Sequence, residues 1–96
     1  MAAEVLSFQQ EEGKTAYYAT FVSDGNPVTI QIKNKGGYVT VHANIEGMKP
    51  VILYPNVREN NGAPDSIFRV AGIVAGVEIT IKSATEVLEA KMIKEG

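Results

Sequence analysis

The chain carries one histidine, His42, at the end of an alternating run, Tyr38-Val39-Thr40-Val41-His42. In an extended strand, residues two apart share a face. Tyr38, Thr40 and His42 therefore project together. If Val28–Lys33 folds back beside this run, Thr29, Gln31 and Lys33 join them, and Tyr18 falls on the polar side of the run before that. Aromatic rings set among hydroxyl, amide and imidazole groups are the materials of a sugar-binding face. Tyr18, Gln31, Tyr38, Thr40 and His42 are thus the candidate ligand-binding residues. Two observations weigh against them. There is no tryptophan, the largest of the flat rings that serve as stacking platforms. An ordinary solvated sheet face also favours β-branched and aromatic residues.

Little else in the chain could do covalent or acid–base chemistry. There is no cysteine, and the two aspartates, Asp24 and Asp65, both fall in stretches that read as turns. Ser7, Ser23, Ser66 and Ser83 lack the context of an activated nucleophile and share a single histidine. Asp24, Asn26, Glu59, Asn60, Asn61 and Asp65 offer oxygen atoms, but no dense alternation of carboxylates suggests a calcium loop, and turn formation accounts for them. A lone histidine is no zinc signal. The sequence therefore predicts no catalytic residue, no metal site and no cofactor, and the protein reads as a non-enzyme.

The elements that must position these residues are strands. Alternation dominates residues 4–45, with turn signals at Glu11-Glu12-Gly13-Lys14, Asp24-Gly25-Asn26-Pro27 and Asn34-Lys35-Gly36-Gly37. Read as successive hairpins, these turns give a four-stranded meander in which Ile32 faces Val39, Ile30 faces Val41 and Val28 faces Ala43. Leu6, Phe8, Tyr17, Ala19 and Phe21 fall on the same inner face. A one-residue slip would invert every side chain, so the agreement of four strands is informative.

A second sheet is expected from residues 51–94, built from Val51–Val57, Ile67–Val74, Val77–Lys82 and Glu86–Lys94, with 56–66 as an exposed loop. Pro50 and Pro55 make the Val51 run short or bent, or place it at an edge. A turn at Ala75-Gly76 would pair Val70 with Ile81. The last segment, 84–95, has two readings. As a strand it brings Leu88, Ala90 and Met92 inward and Glu78 opposite Lys91. As a helix it begins with the capping-box spacing Ser83…Glu86 and is rich in helix formers. The strand is preferred. Seven or eight short strands imply one all-β domain over 1–96, an antiparallel β-sandwich or a flattened barrel.

The second half has an apolar surplus. Val51, Ile52, Leu53 and Tyr54 offer apolar side chains to both faces, as does the run Ile67 to Val74 apart from Arg69. A two-layer sandwich buries one face of each sheet, so the other face needs cover. Val51, Ile52, Leu53, Tyr54, Ile67, Arg69 and Ile73 are the candidate protein–protein interface of a homo-oligomer. The expected role is a structural or assembly module, such as an accessory part of a virion. A carbohydrate-binding module is the alternative.

Ninety-six residues with 45% hydrophobic and 21% charged residues suffice for one core without staples. A net charge of −2, with nine dispersed lysines and arginines, gives no pull toward nucleic acid or an anionic membrane. No apolar run approaches the roughly 20 residues of a membrane span, and the N-terminus lacks the pattern of a signal peptide. A soluble protein made in the cytoplasm is expected.

Overall fold

The computed structural model describes residues 3–57 and 65–95. The loop residues 58–64, with Glu59, Asn60 and Asn61, lie outside the described residues. The described chain is all β: β1 (Glu4–Val5), β2 (Gln9–Gln10), β3 (Tyr17–Val22), β4 (Val28–Asn34), β5 (Val39–Asn44), β6 (Val51–Tyr54), β7 (Asp65–Val70), β8 (Glu78–Ser83) and β9 (Val87–Lys94). These form two antiparallel sheets packed as a sandwich. Sheet A has the order β1-β9-β4-β7, and sheet B the order β2-β3-β8-β5-β6.

Most inward residues fall where the alternation places them, though Val74, expected inside, is exposed. Val28, Ile30, Ile32, Val39, Val41, Ala43, Val70, Ile79, Ile81, Ala90 and Met92 are all buried. Complete burial of each large aliphatic side chain contributes about 1.5–3 kcal/mol. The pairing, however, is not a meander followed by a second sheet. β4 lies in sheet A and β5 in sheet B, so Ile30 and Val41 face each other's layer across the core. Ile30 is flanked by Phe68 and Met92, and Val41 by Ile81 and Tyr54. Of the strands adjacent in sequence, only β2–β3 and β5–β6 form hairpins within a sheet. The pairs β1·β9, β3·β8, β4·β7 and β5·β6 nest like one long folded hairpin. Rolling it up adds the pairs β4·β9 and β5·β8. This is the strand order of a jelly roll.

The expected hairpins become arches because their polar groups find partners in another arch. At one end Ser23 N donates to Val77 O (2.8 Å), and Gly76 N donates to Ser23 O (2.9 Å). The buried Ser23 hydroxyl accepts from Gly25 N and donates to Ile73 O. At the other end Asn34 Nδ2 donates to Ser83 Oγ (2.8 Å), while Asn34 Oδ1 accepts from Gly36 N (3.0 Å). Ser83 Oγ donates to Thr85 O (2.7 Å), and Thr85 Oγ1 donates to Gly36 O (2.6 Å). Ser23, Asn34 and Ser83 are the buried polar residues of the described chain. All three serve these arch-to-arch links.

The helical reading of 84–95 is overturned. Val87–Lys94 runs between β1 and β4 as an inner strand of sheet A, with Ala90 and Met92 buried between exposed neighbours. Long-range pairing overrides local helix preference there. Ser83 caps nothing helical, and Glu86 instead pairs with Lys35 at 2.7 Å. The pairing of Glu78 with Lys91 is also absent: Glu78 lies between Val22 and Asn44 in sheet B, and Lys91 lies beside Gln31 in sheet A. Leu88, expected inside, is exposed because a bulge moves the β4 register from Glu89 directly to Val87. Val87 turns inward in its place.

Candidate functional site

The outer face of sheet B is built from rows that cross its strands. Tyr18, Lys82 and Thr40 form one row, and Thr20, Thr80, His42 and Ile52 form the next. The two rows border a cleft of about 320 Å³ lined by Glu11, Tyr18, His42, Pro50, Thr80 and Lys82. Neighbouring strands lie roughly 4.8 Å apart and successive same-face residues about 6.7 Å apart, which places Tyr18 and His42 about 12 Å apart on the diagonal, with β8 between them. Thr80 and Lys82 thus form the floor.

Side-chain contacts hold this surface in place. Lys82 Nζ sits 3.1 Å from Glu11 Oε2, and Lys14 Nζ is 3.5 Å from Glu11 Oε1. Thr40 Oγ1 and His42 Nε2 share a hydrogen bond of 2.9 Å, and the Thr20 and Thr80 hydroxyls share one of 3.1 Å. Burial lowers the pKa of the His42 imidazole, and the positive charge of Lys82 pushes it the same way. The Lys82 ammonium 3.1 Å away holds the Glu11 carboxyl below its ordinary value. At neutral pH the cleft therefore presents an uncharged imidazole beside an ammonium–carboxylate pair.

The five residues proposed for ligand binding do not all meet here. Tyr18, Thr40 and His42 share the outer face of sheet B. Gln31 is on the outer face of sheet A, between Ile67 and Lys91, on the opposite side of the sandwich. Tyr38 is exposed just before β5 and does not line the cleft. Glu11, Pro50, Thr80 and Lys82 complete the cleft and were not singled out by the sequence. Glu11 reads locally as a turn residue. Nothing local in the sequence signals that β8 inserts between β3 and β5.

The candidate interface is also divided. Val51, Ile52 and Ile67 are exposed, whereas Leu53, Tyr54 and Ile73 pack against the core. Arg69 makes two hydrogen bonds to Glu95, Nε to Oε1 (3.2 Å) and Nη2 to Oε2 (3.0 Å). Further exposed apolar residues lie on the β5–β6 hairpin, where Ile45, Met48, Val51 and Ile52 are 68%, 67%, 66% and 60% exposed. Val22 and Val74, also exposed, belong to the same end of the sandwich. β6 closes one edge of sheet B, with no strand beyond it among the described residues.

Among the described residues no three His, Asp or Glu side chains come together in a way that would hold a metal ion. No helix among them is long and apolar enough to cross a membrane. The chain matches no protein-family model, no curated protein and no solved structure.

Proposed function

We propose that this protein is a non-catalytic assembly module that associates with further copies of itself through the β5–β6 hairpin and the free edge of sheet B. In this reading it is a structural or accessory part of a larger particle, such as a virion. The observation that carries the reading is the exposure of Ile45, Met48, Val51 and Ile52 on one hairpin. Val51 and Ile52 point to opposite faces of β6, so the hairpin presents apolar side chains on both faces beside its exposed turn, and clustered exposed apolar residues of this kind mark interaction sites. A stable interface buries about 800 Å² per partner, more than four side chains supply. The adjoining β6 edge offers unpaired backbone groups for the remainder. Pro50 and Pro55 bracket that edge and cannot donate to a ladder, so pairing would be confined to the four residues Val51–Tyr54. Such a contact closes as a pair and does not propagate.

The jelly-roll strand order is compatible with this role, since capsid domains use it. Lectins and cupins use it too, so the fold lends only analogy.

The test is solution mass by light scattering across concentration and salt. The mass should rise from one chain toward two with concentration and should not respond to salt, because the contacts are apolar. The Met48→Lys/Ile52→Lys double variant should remain monomeric with an unchanged melting temperature. A wild-type monomer at every concentration would refute self-association.

A further inference from the structure

We infer that the cleft on the outer face of sheet B is a binding site for one neutral sugar residue, seated between Tyr18 and His42 over Thr80 and Lys82. This inference is separate from self-association, because the cleft centres on β3 and β8 and not on the hairpin patch, although Pro50 borders both and Ile52 lies beside His42 on the same face.

Size is the first argument. About 320 Å³ is at the small end of ligand sites and suits a single ring. Chemistry is the second. Lys82 can only donate, Glu11 can only accept, and their charged ends lie 3.1 Å apart. A hydroxyl does both, so two neighbouring hydroxyls of one ring can engage the pair together. A small anion at the same place would meet the Glu11 carboxylate, and a cation would meet Lys82 and Lys14. His42, held neutral, offers one N–H and one lone pair, of which Nε2 already engages the Thr40 hydroxyl. Such an imidazole suits a hydroxyl better than a charged group. The Tyr18 ring supplies an apolar wall for the C–H face of a sugar.

Preorganisation is the third argument. The Thr20–Thr80, Thr40–His42 and Glu11–Lys82 contacts fix the groups before any ligand arrives, which lowers the ordering cost of binding. The comparable depression on sheet A, lined by Gln31, Lys33, Asp65, Glu89 and Lys91, has no aromatic wall. Its alternating charges read as a solvated face.

The experiment is an NMR titration of the ¹⁵N-labelled full chain at the lowest workable protein concentration, where association is least. The probes are D-glucose, D-galactose, D-mannose and N-acetyl-D-glucosamine, with glycerol and inorganic phosphate as controls and a glycan array in parallel. At least one sugar should give saturable shifts at residues 18, 42, 80 and 82, with affinity in the millimolar range. Tyr18→Ala should weaken it about tenfold. If that variant loses the wild-type spectrum, His42→Ala takes its place. Any of four results would overturn the inference: no saturable shift with any sugar and a blank array; equal shifts from glycerol; tighter binding of phosphate; or sugar shifts that map elsewhere.

Discussion

Replacing Asn34 by aspartate exchanges one amide nitrogen for an oxygen in a site closed to solvent, and the consequence can be worked out from the hydrogen bonds. Asn34 is 1% exposed and its partner Ser83 0% exposed. Asn34 Nδ2 donates to Ser83 Oγ at 2.8 Å, and the Ser83 proton is already committed to Thr85 O at 2.7 Å. An ionised carboxylate at this position would therefore set a lone pair against a lone pair, while its other oxygen could still accept from Gly36 N. The protonated acid restores the donor. Burial and hydrogen bonding both favour the neutral acid, so its folded pKa rises above the ordinary value of about 3.9, by about 2–3 units for a buried carboxyl. Between those two values the folded chain holds a proton that the unfolded chain has released. Stability relative to wild type thus falls by about 1.4 kcal/mol per pH unit as pH rises through this window, then levels off. The loss at pH 7 is about 3–4 kcal/mol, or roughly 12–30 °C in melting temperature for a domain of this size. Near pH 3 the variant should lie within about 1 kcal/mol of wild type. Asn34→Ala is the control: it loses the bonds to Ser83 and Gly36 at every pH and should cost about 2–3 kcal/mol with no added pH dependence. The assay is urea unfolding of all three chains from pH 3 to pH 8. Parallel Asn34→Asp and wild-type curves would refute the proposed proton arrangement of the Asn34–Ser83–Thr85 chain.

Gly37 adopts a φ of +87°, and a Cβ there would come within 3.1 Å of the Ala84 Cβ, whereas Gly13, at φ +72°, has open space around it. Both Gly→Ala changes incur the left-handed penalty of about 1–2 kcal/mol, and Gly37→Ala should cost about 1 kcal/mol more; equal losses in thermal melts would argue against the close arch contact. His42 should titrate by NMR below its ordinary value of about 6.5, because burial first and Lys82 second disfavour its charged form. On acidification the unfolded chain takes up this proton first, so stability is lost as pH falls through about 6.5 and down to the folded value, and His42→Gln should remove that inflection. An unshifted His42 resonance would contradict the half-buried placement.

Which side chains face inward was legible in the sequence for most of the core, Leu88 and Val74 excepted; which sheet they belong to was not. Alternation places Ile30, Ile32, Val39 and Val41 inside correctly, because period 2 reports the face of a strand whatever its neighbour. The same pattern is silent on whether Asn34-Lys35-Gly36-Gly37 closes a hairpin or crosses the core as an arch. Both need positive φ at glycine, and Gly36 and Gly37 supply it. What separates the two outcomes is a polar partner 49 residues away, the Ser83 hydroxyl for Asn34. Nothing within the turn announces it. Ser83 shows the same limit in reverse. Its spacing to Glu86 fits a helix cap locally, yet both residues are occupied by the neighbouring arch at the same end of the sandwich, Ser83 with Asn34 and Glu86 with Lys35.

That limit explains why the candidate site was half legible. Tyr18, Thr40 and His42 could be placed on a polar outer face from alternation alone, and Gln31 was added only because a hairpin would have carried it beside them. Once β4 crosses to sheet A, Gln31 leaves with it. β8, arriving from far along the chain, supplies Thr80 and Lys82 instead. The cleft is therefore a product of the rolled topology, since its walls come from β3 and β5 and its floor from β8. Any function at this surface depends on the links that hold the arches in register. A change at Asn34, buried at the end of the sandwich, should weaken a ligand on Tyr18 and His42 only to the extent that it unfolds the chain, whereas Thr80→Val should weaken it in a fully folded protein. Comparing the two variants at a temperature where both are folded separates a site carried by specific groups from a surface that merely reports stability.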